Sequence, residues 1–250
     1  MSTSHSTPGA RGVALVTGGG RRIGRSISLE LAAQGYDVAV HYLSSGEEAE
    51  EVAGTVRSLG RRALAIKCDL QDSAAMLALV PSVAQALGTV TCLVNNASVF
   101  ENDALFEMTP GGYDRHLEIN LKAPVFLARA TALGLPEGTG GNVINITDQR
   151  VWKPTPDFFT YTLSKSGLWS ATRMLAQALA PAVRVNAVGP GPVLQSVHQS
   201  PDELLDEQRG TLLKRGASPE EIARAVAFIL ATPSMTGQMI ALDGGQHLVW

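Results

Sequence analysis

The chain has 250 residues, 45% of them hydrophobic and 17% charged, enough apolar material for a buried core and too much for a disordered chain. Twenty lysines and arginines stand against 23 acidic residues, a net charge of -3, which leaves no basic footprint for nucleic acid or an anionic membrane surface. Two cysteines, Cys68 and Cys92, are too few for a disulfide scaffold or a four-ligand zinc site, and no apolar run approaches the roughly 18 residues of a membrane span.

Residues 1–11 read as a flexible polar tail without the apolar core of a signal peptide, which points to a cytoplasmic protein. Val13-Ala14-Leu15-Val16-Thr17 then forms an apolar run that stops at Gly18-Gly19-Gly20, the look of a parallel strand covered on both faces. From Arg21 to Gln34 the spacing of Ile23, Ile27 and Leu31 is helical, and Gly35 closes it. Strands follow at Val38–Tyr42, Ala63–Lys67 and Val90–Val94, separated by helices near Glu47–Leu59 and Ser73–Leu87. A long helix near Gly112–Leu133 leads to the strand Asn142–Ile146. A helix from about Phe158 to Ala180 leads to Val183–Val188. Ser218-Pro219-Glu220-Glu221 caps a helix that runs to Leu230, and Met239–Leu242 is the last strand. Strand and helix alternate with no break in composition. Residues 12–250 therefore predict one domain, a doubly wound Rossmann fold on a seven-stranded parallel sheet.

In such a sheet the ligand crevice lies beyond the carboxyl ends of the strands, where the order reverses between the first and fourth. The turn Thr17-Gly18-Gly19-Gly20-Arg21-Arg22-Ile23-Gly24 sits there. Glycine lets backbone approach a pyrophosphate, and the helix N-terminus directs amide hydrogens at it. The second strand ends His41-Tyr42-Leu43-Ser44-Ser45, with no acid nearer than Glu47 to grip the ribose diol of NAD. Arg22 adds a fixed positive charge. Arg22, His41, Ser44 and Ser45 together favour NADPH.

At the end of the helix near Phe158–Ala180 stands Tyr161-Thr162-Leu163-Ser164-Lys165. Residues four apart share a helix face, so the Lys165 ammonium favours the Tyr161 phenolate and lowers a pKa whose reference is about 10. Tyr161 then serves to donate a proton where hydride is received. His116 and His198 lack partners at metal-ligand spacing, and no metal is expected.

These motifs resemble the short-chain dehydrogenase/reductase family over nearly the whole chain. The resemblance rests on Thr17–Gly24, Asn95-Asn96-Ala97, Asn120, Tyr161-x-x-x-Lys165, Pro190-Gly191-Pro192-Val193 and Leu242-Asp243-Gly244-Gly245. It implies that Asn95-Asn96-Ala97 braces the sheet beside the cofactor and that Asn120 organises a proton-relay water with Lys165. Pro190, Gly191 and Val193 then lie against the nicotinamide. Gly18, Arg21, Ile23, Tyr42, Asp69, Leu70, Asn96, Ala97, Ser98 and Lys165 complete the expected cofactor contacts.

Two departures narrow the resemblance. Arg22 replaces the second glycine of T-G-x-x-x-G-x-G, and Asp148 replaces the catalytic serine after the fifth strand, with Thr147 pointing away from the site. Both departures resemble the pteridine reductases and the bacterial dihydromonapterin and dihydrofolate reductases of the same family. By that resemblance Asp148, Tyr161, Lys165 and Asn120 carry catalysis. Ser98, Phe100, Asp148 and Tyr161 contact the substrate, with Phe100 stacked on the pterin ring. The expected reaction is NADPH-dependent reduction of a pteridine C=N bond, a dihydropterin or dihydrofolate going to the tetrahydro form. A ketone or 3-oxoacyl reductase, or a non-catalytic NADP-binding regulator, is the alternative. The segments Gln149–Phe159 and Leu194–Leu213 are expected to frame the pocket, the second as a mobile lid. Resemblance implies a homotetramer, with Leu248-Val249-Trp250 buried at a subunit contact.

Overall fold

The computed structural model describes residues 11–195 and 200–249. Seven strands form one parallel sheet in the order β3-β2-β1-β4-β5-β6-β7. They are β1 (Val13–Val16), β2 (Asp37–Tyr42), β3 (Ala63–Lys67), β4 (Val90–Asn95), β5 (Gly141–Ile146), β6 (Val183–Pro190) and β7 (Met239–Leu242). β1 pairs with both β2 and β4, so the sheet reverses direction of growth beside β1. That reversal leaves a crevice between the loops that follow β1 and β4.

Period-two alternation along each strand divides the core into two layers. Ala14 and Val16 face one side, where they join Ile27 and Leu31 of α1 (Arg22–Ala33), Val52 and Val56 of α2 (Gly46–Ser58), and Ile222 and Val226 of α8 (Pro219–Ala231). Val13 and Leu15 face the other, against Met76 and Leu79 of α3 (Ser73–Leu87) and Leu127 of α5 (Ala123–Leu133). Leu15, Ile27, Leu31 and Leu127 are essentially excluded from water. Each such side chain contributes about 1.5–3 kcal/mol on burial. Neither face of the sheet is left wet, which is why the strands read as apolar runs.

The helix expected over Gly112–Leu133 is interrupted. α4 (Pro110–Leu117) starts two residues earlier behind a Thr109 cap, passes through a wider π turn at Glu118–Lys122, and continues as α5. Pro124 lies just beyond the π turn and has no N–H to give the ladder. Asn120 occupies that turn, a frequent location for functional side chains.

Within the stretch expected to be a loop-like lid, α7 (Pro201–Gly210) is helical. Ser200 accepts from Glu203 N while Glu203 accepts from Ser200 N, a complete capping box. The corresponding box at Ser218 and Glu221 starts α8 as the sequence predicts. Residues 196–199 of the expected lid, His198 among them, lie outside the described residues. So does the expected tail except for Arg11, whose N–H donates to Gly35 at 3.0 Å. Leu248, on a short turn after β7, is 58% exposed, and Trp250 is outside the described residues. Cys68 and Cys92 are free and buried. Among the described residues no helix is long and apolar enough to cross a membrane, and no cluster of ligands for a metal ion occurs.

Candidate active site

The chain leaves β1 through Gly18, whose φ of +62° suits glycine. Gly24 is more tightly constrained, because a Cβ there would fall 2.1 Å from the Gly18 carbonyl oxygen. This turn is tied to the end of β4. Thr17 Oγ1 accepts from Asn96 N at 2.9 Å and Ala97 N at 3.0 Å, and Asn96 Nδ2 donates to the Thr17 and Gly18 carbonyls. Asn95 Nδ2 donates to Asn145 Oδ1 at 2.8 Å, joining β4 to β5. The Asn95-Asn96-Ala97 segment thus braces the crevice from both sides.

α1 begins without a side-chain cap, so its first amide N–H groups are available to an anion at the mouth of the crevice. Two buried amide oxygens on the crevice wall, Gln149 Oε1 and Gln246 Oε1, have no partner among the described residues. A close-packed glycine cradle, an uncapped helix start and acceptors awaiting donors fit a dinucleotide, with its pyrophosphate and its amide.

The resulting cleft has a volume of about 480 Å³. It gathers Gly18, Arg21, Arg22, Ile23 and His41 with Ser45, Asp69 and Leu70. Asn96, Ala97, Ser98 and Phe100 line it after β4, Asp148, Tyr161 and Lys165 after β5, and Pro190, Gly191 and Val193 after β6. Tyr42 and Ser44 lie in an adjoining hollow, shared with Arg21 and Lys67.

The charges around the glycine turn differ from expectation. Arg22 has a φ of +53°, so its backbone keeps the conformation glycine would take at this position, at a cost on the order of 1 kcal/mol. Its guanidinium donates to the Leu194 and Gln195 carbonyls at 3.0 and 2.7 Å, and Arg22 is not among the residues of the hollow that holds Ser44. Arg21 instead reaches the hollow beside β2, where it pairs with Glu48. His41 is 2% exposed. Its Nδ1 accepts from Gly18 N at 3.1 Å while Nε2 meets the Cys68 carbonyl at 3.0 Å. Burial holds His41 down to about 4, so it is a neutral brace of the glycine turn and brings no charge to a phosphate.

Tyr161 stands in the first turn of α6 (Phe159–Leu179). Its Oη donates to Asp148 Oδ2 at 2.8 Å, and Asp148 Oδ1 accepts from Arg150 N at 2.8 Å. Lys165 is 2% exposed and donates from Nζ to the Ile146 carbonyl at 2.8 Å. The expected lowering of Tyr161 by Lys165 does not occur. Burial, reinforced by the Asp148 charge, holds the phenol well above its ordinary value. Burial also raises Asp148, and it pulls Lys165 down to about 8 against the opposing pull of Asp148. The pair is therefore biased toward keeping protons, as a proton-donating site requires. Thr147 Oγ1 donates to the Val188 carbonyl at 2.9 Å and leaves the position facing Tyr161 to Asp148.

Asn120 ties the loop after β4 to α6. Its Oδ1 accepts from Val99 N at 2.8 Å, and its Nδ2 donates to the Val99 carbonyl and Ser164 Oγ. It fixes the loop that carries Ser98 and Phe100 to α6. Phe100 meets the Tyr161 ring edge-on at 4.7 Å and stacks on Phe158 at 4.5 Å, tilted by 7°. Phe100 lines the cleft and Phe158 does not, so Phe158 backs the ring and leaves Phe100 facing the site.

Sequence reading gave no individual role to Phe158, Arg150, Lys67 or the two glutamines. Lys67 carried a signal, since it ends β3 opposite Tyr42. Phe158 lay in the segment Gln149–Phe159 expected to frame the pocket, but only folding brings it against Phe100.

Residues 18–247 match the family model described as enoyl-(acyl carrier protein) reductase. The 3-oxoacyl-[acyl-carrier-protein] reductase FabG of Staphylococcus aureus is 34% identical over 242 residues, covering 94% of this chain and 98% of that protein. The crystal structure of FolM, alternative dihydrofolate reductase 1, from Brucella suis in complex with NADP superposes with a TM-score of 0.93. It is 45% identical, over 97% of each chain. The Brucella canis counterpart, also complexed with NADP, gives 0.94 at 45% identity, over 97% of this chain and 96% of that one. With the motifs at the strand ends and these full-length matches, the chain belongs to the short-chain dehydrogenase/reductase family.

Proposed function

We propose that the protein is an NADPH-dependent pteridine reductase, which converts a dihydropterin or dihydrofolate to its tetrahydro form. The observation that carries this reading is the Asp148 carboxylate hydrogen-bonded to Tyr161 at 2.8 Å. Reduction of a ketone develops an alkoxide, and a carboxylate at this position repels that charge. Reduction of a C=N bond instead requires the nitrogen to gain a proton. NADPH supplies hydride to the substrate carbon when bound.

The chain's own groups supply the rest. Asp148 and Tyr161 hold a proton between them and deliver it to the pteridine nitrogen, with Asp148 drawing a replacement from solvent. Lys165, with Nζ held on the Ile146 carbonyl 5.7 Å from the centre of the Tyr161 ring, keeps the floor of the site in place. Phe100, stiffened by Phe158, orients a flat ring, a preference of about 0.5–1.5 kcal/mol beyond burial. The uncapped start of α1 takes the pyrophosphate. Arg21, Ser44 and Lys67 take the phosphate that distinguishes NADPH from NADH, a role the sequence assigned to Arg22, His41, Ser44 and Ser45. The NADP complexes of the Brucella proteins support this choice of cofactor.

The second reading is a 3-oxoacyl or ketone reductase, favoured by the identity with FabG. Steady-state NADPH oxidation with dihydropterins, dihydrofolate and simple ketones separates the two. Ready turnover of ketones with no reduction of either pteridine class overturns the pteridine reading. We place the protein in the cytoplasm, in keeping with its free buried thiols, and as a homotetramer. Exposed Phe126 on α5, Met174 on α6 and Phe228 on α8 support subunit contacts.

A further inference from the structure

We propose that Arg150 is an anion-binding subsite that makes this protein prefer pteridines carrying a carboxylate tail, the folate type, over pterins with a neutral side chain. The inference rests on the pteridine reading above and assigns the far end of that substrate.

Arg150 follows Asp148 by two residues on the short turn Gln149–Val151, and its own N–H is locked to Asp148 Oδ1. Its position relative to the catalytic carboxylate is therefore fixed by backbone. The side chain lines the cleft. Its guanidinium carbon lies 5.0 Å from the centre of the Phe158 ring, and Nη1 donates to Thr155 Oγ1 at 3.0 Å. An aromatic face and one hydroxyl hold the fork in place without an ion-paired carboxylate.

The contrast with other arginines is informative. Arg21 is paired with Glu48, Arg115 with Glu101 and Arg215 with Glu221. Among the described residues no carboxylate forms an ion pair with Arg150. A half-buried guanidinium held on a rigid turn beside a reaction centre is a receptor for a planar anion, because its fork matches a carboxylate in two hydrogen bonds. Beside it the cleft wall is the Phe100 ring, backed by the stacked Phe158 ring. A flat heterocycle that carries a carboxylate tail matches a ring and a cation lining the same cleft.

Arg150 also bears on chemistry. Its charge opposes the upward shifts of both Asp148 and Tyr161. A substrate anion that neutralises it strengthens the hold of the pair on its proton just as substrate arrives. Docking of the tail thereby favours the protonated form of the donor.

The test compares folic acid with 6-hydroxymethylpterin, binding to the NADP-saturated protein, by titration calorimetry or quenching of intrinsic fluorescence. In the unaltered protein folic acid binds more tightly, and added salt weakens folic acid more than the pterin. Arg150→Met lowers the ratio of folic acid to pterin affinity at least tenfold, and Arg150→Lys lowers it less, because a point charge remains without the fork. A ratio unchanged within twofold in Arg150→Met, or equal salt dependence of the two ligands, overturns the inference and leaves the pteridine reading standing. If Arg150→Met does not fold, the salt dependence of the unaltered protein and the Arg150→Lys ratio decide the matter in its place. Failure of both ligands to bind the unaltered protein overturns the pteridine reading and this inference together.

Discussion

Asp103 caps the catalytic helix from 57 residues away: its Oδ1 accepts from Thr160 N at 2.9 Å. The Asp103 carbonyl takes Phe159 N at 3.0 Å, and Asn102 Oδ1 takes Phe158 N at 3.3 Å. α6 has no cap of its own, since Phe158 sits there at a φ of +53° with no oxygen to offer. The loop after β4 thus holds both Phe100 and the start of the helix that carries Tyr161. Removing the Asp103 cap by Asp103→Ala should lower stability by about 1 kcal/mol. It should raise KM for the pteridine more than KM for NADPH, because Phe158 and Phe100 lose their anchor. Urea unfolding and steady-state kinetics check both, and Asp103→Asn should recover most of each.

Tyr161→Phe keeps the ring against Phe100 but removes the hydrogen given to Asp148. Turnover should fall about 10²–10⁴-fold while NADPH still binds. Single-turnover rates and cofactor titration measure the two effects separately. Near-normal turnover would move the donor elsewhere.

Asp148→Ser should reduce dihydropterin turnover at least about 10²-fold and alter NADPH affinity little. In the unaltered protein, turnover limited by proton delivery should decline as pH rises through the raised Asp148 value, since the acid form is then lost. A pH–rate profile of kcat should show this limb in the native protein and lose it in Asp148→Ser.

The two arginines of the glycine turn should separate. Arg21→Ala should weaken NADPH relative to NADH by about 1.5–3 kcal/mol if its hydrogen bond is to a phosphate. Arg22→Gly should relieve the positive-φ strain, on the order of 1 kcal/mol, while releasing the Leu194 and Gln195 carbonyls. Cofactor titrations, together with proteolysis around residues 194–200, distinguish the roles. Loss of NADPH selectivity in Arg22→Gly alone returns the phosphate to Arg22.

His41 makes stability depend on pH. Its folded value is about 4 against 6.5 for the free side chain, so the unfolded chain binds more protons between those limits. Its contribution is fully present above about 6.5 and is lost as pH falls toward 4. That difference corresponds to roughly 3 kcal/mol. The unfolding free energy of the native protein should fall more steeply over this window than that of His41→Gln.

Sequence alone determined the fold and the chemical skeleton of the site. Strands buried on both faces must be apolar throughout, so Val13–Val16 and Val90–Val94 stand out, and residues that follow strands in such a sheet must meet at one edge. Hence Gly18, Asn96, Asp148 and Pro190 were placed together without coordinates. The Tyr161 and Lys165 pairing was equally legible, since a helix puts residues four apart on one face. Tertiary structure decided what each charged or aromatic group faces. Arg21 and Arg22 are adjacent in sequence, yet their opposite directions follow from the left-handed backbone at Arg22, where sequence suggests only a missing glycine. His41 reads as a cofactor contact until the Cys68 carbonyl and the Gly18 amide close over it. The rise of Tyr161 depends on burial and on the approach of Asp148, neither of which a four-residue spacing contains. Asp103 and Phe158 had no local signature, because a cap supplied from another loop and a ring that backs another ring exist only after the chain has folded.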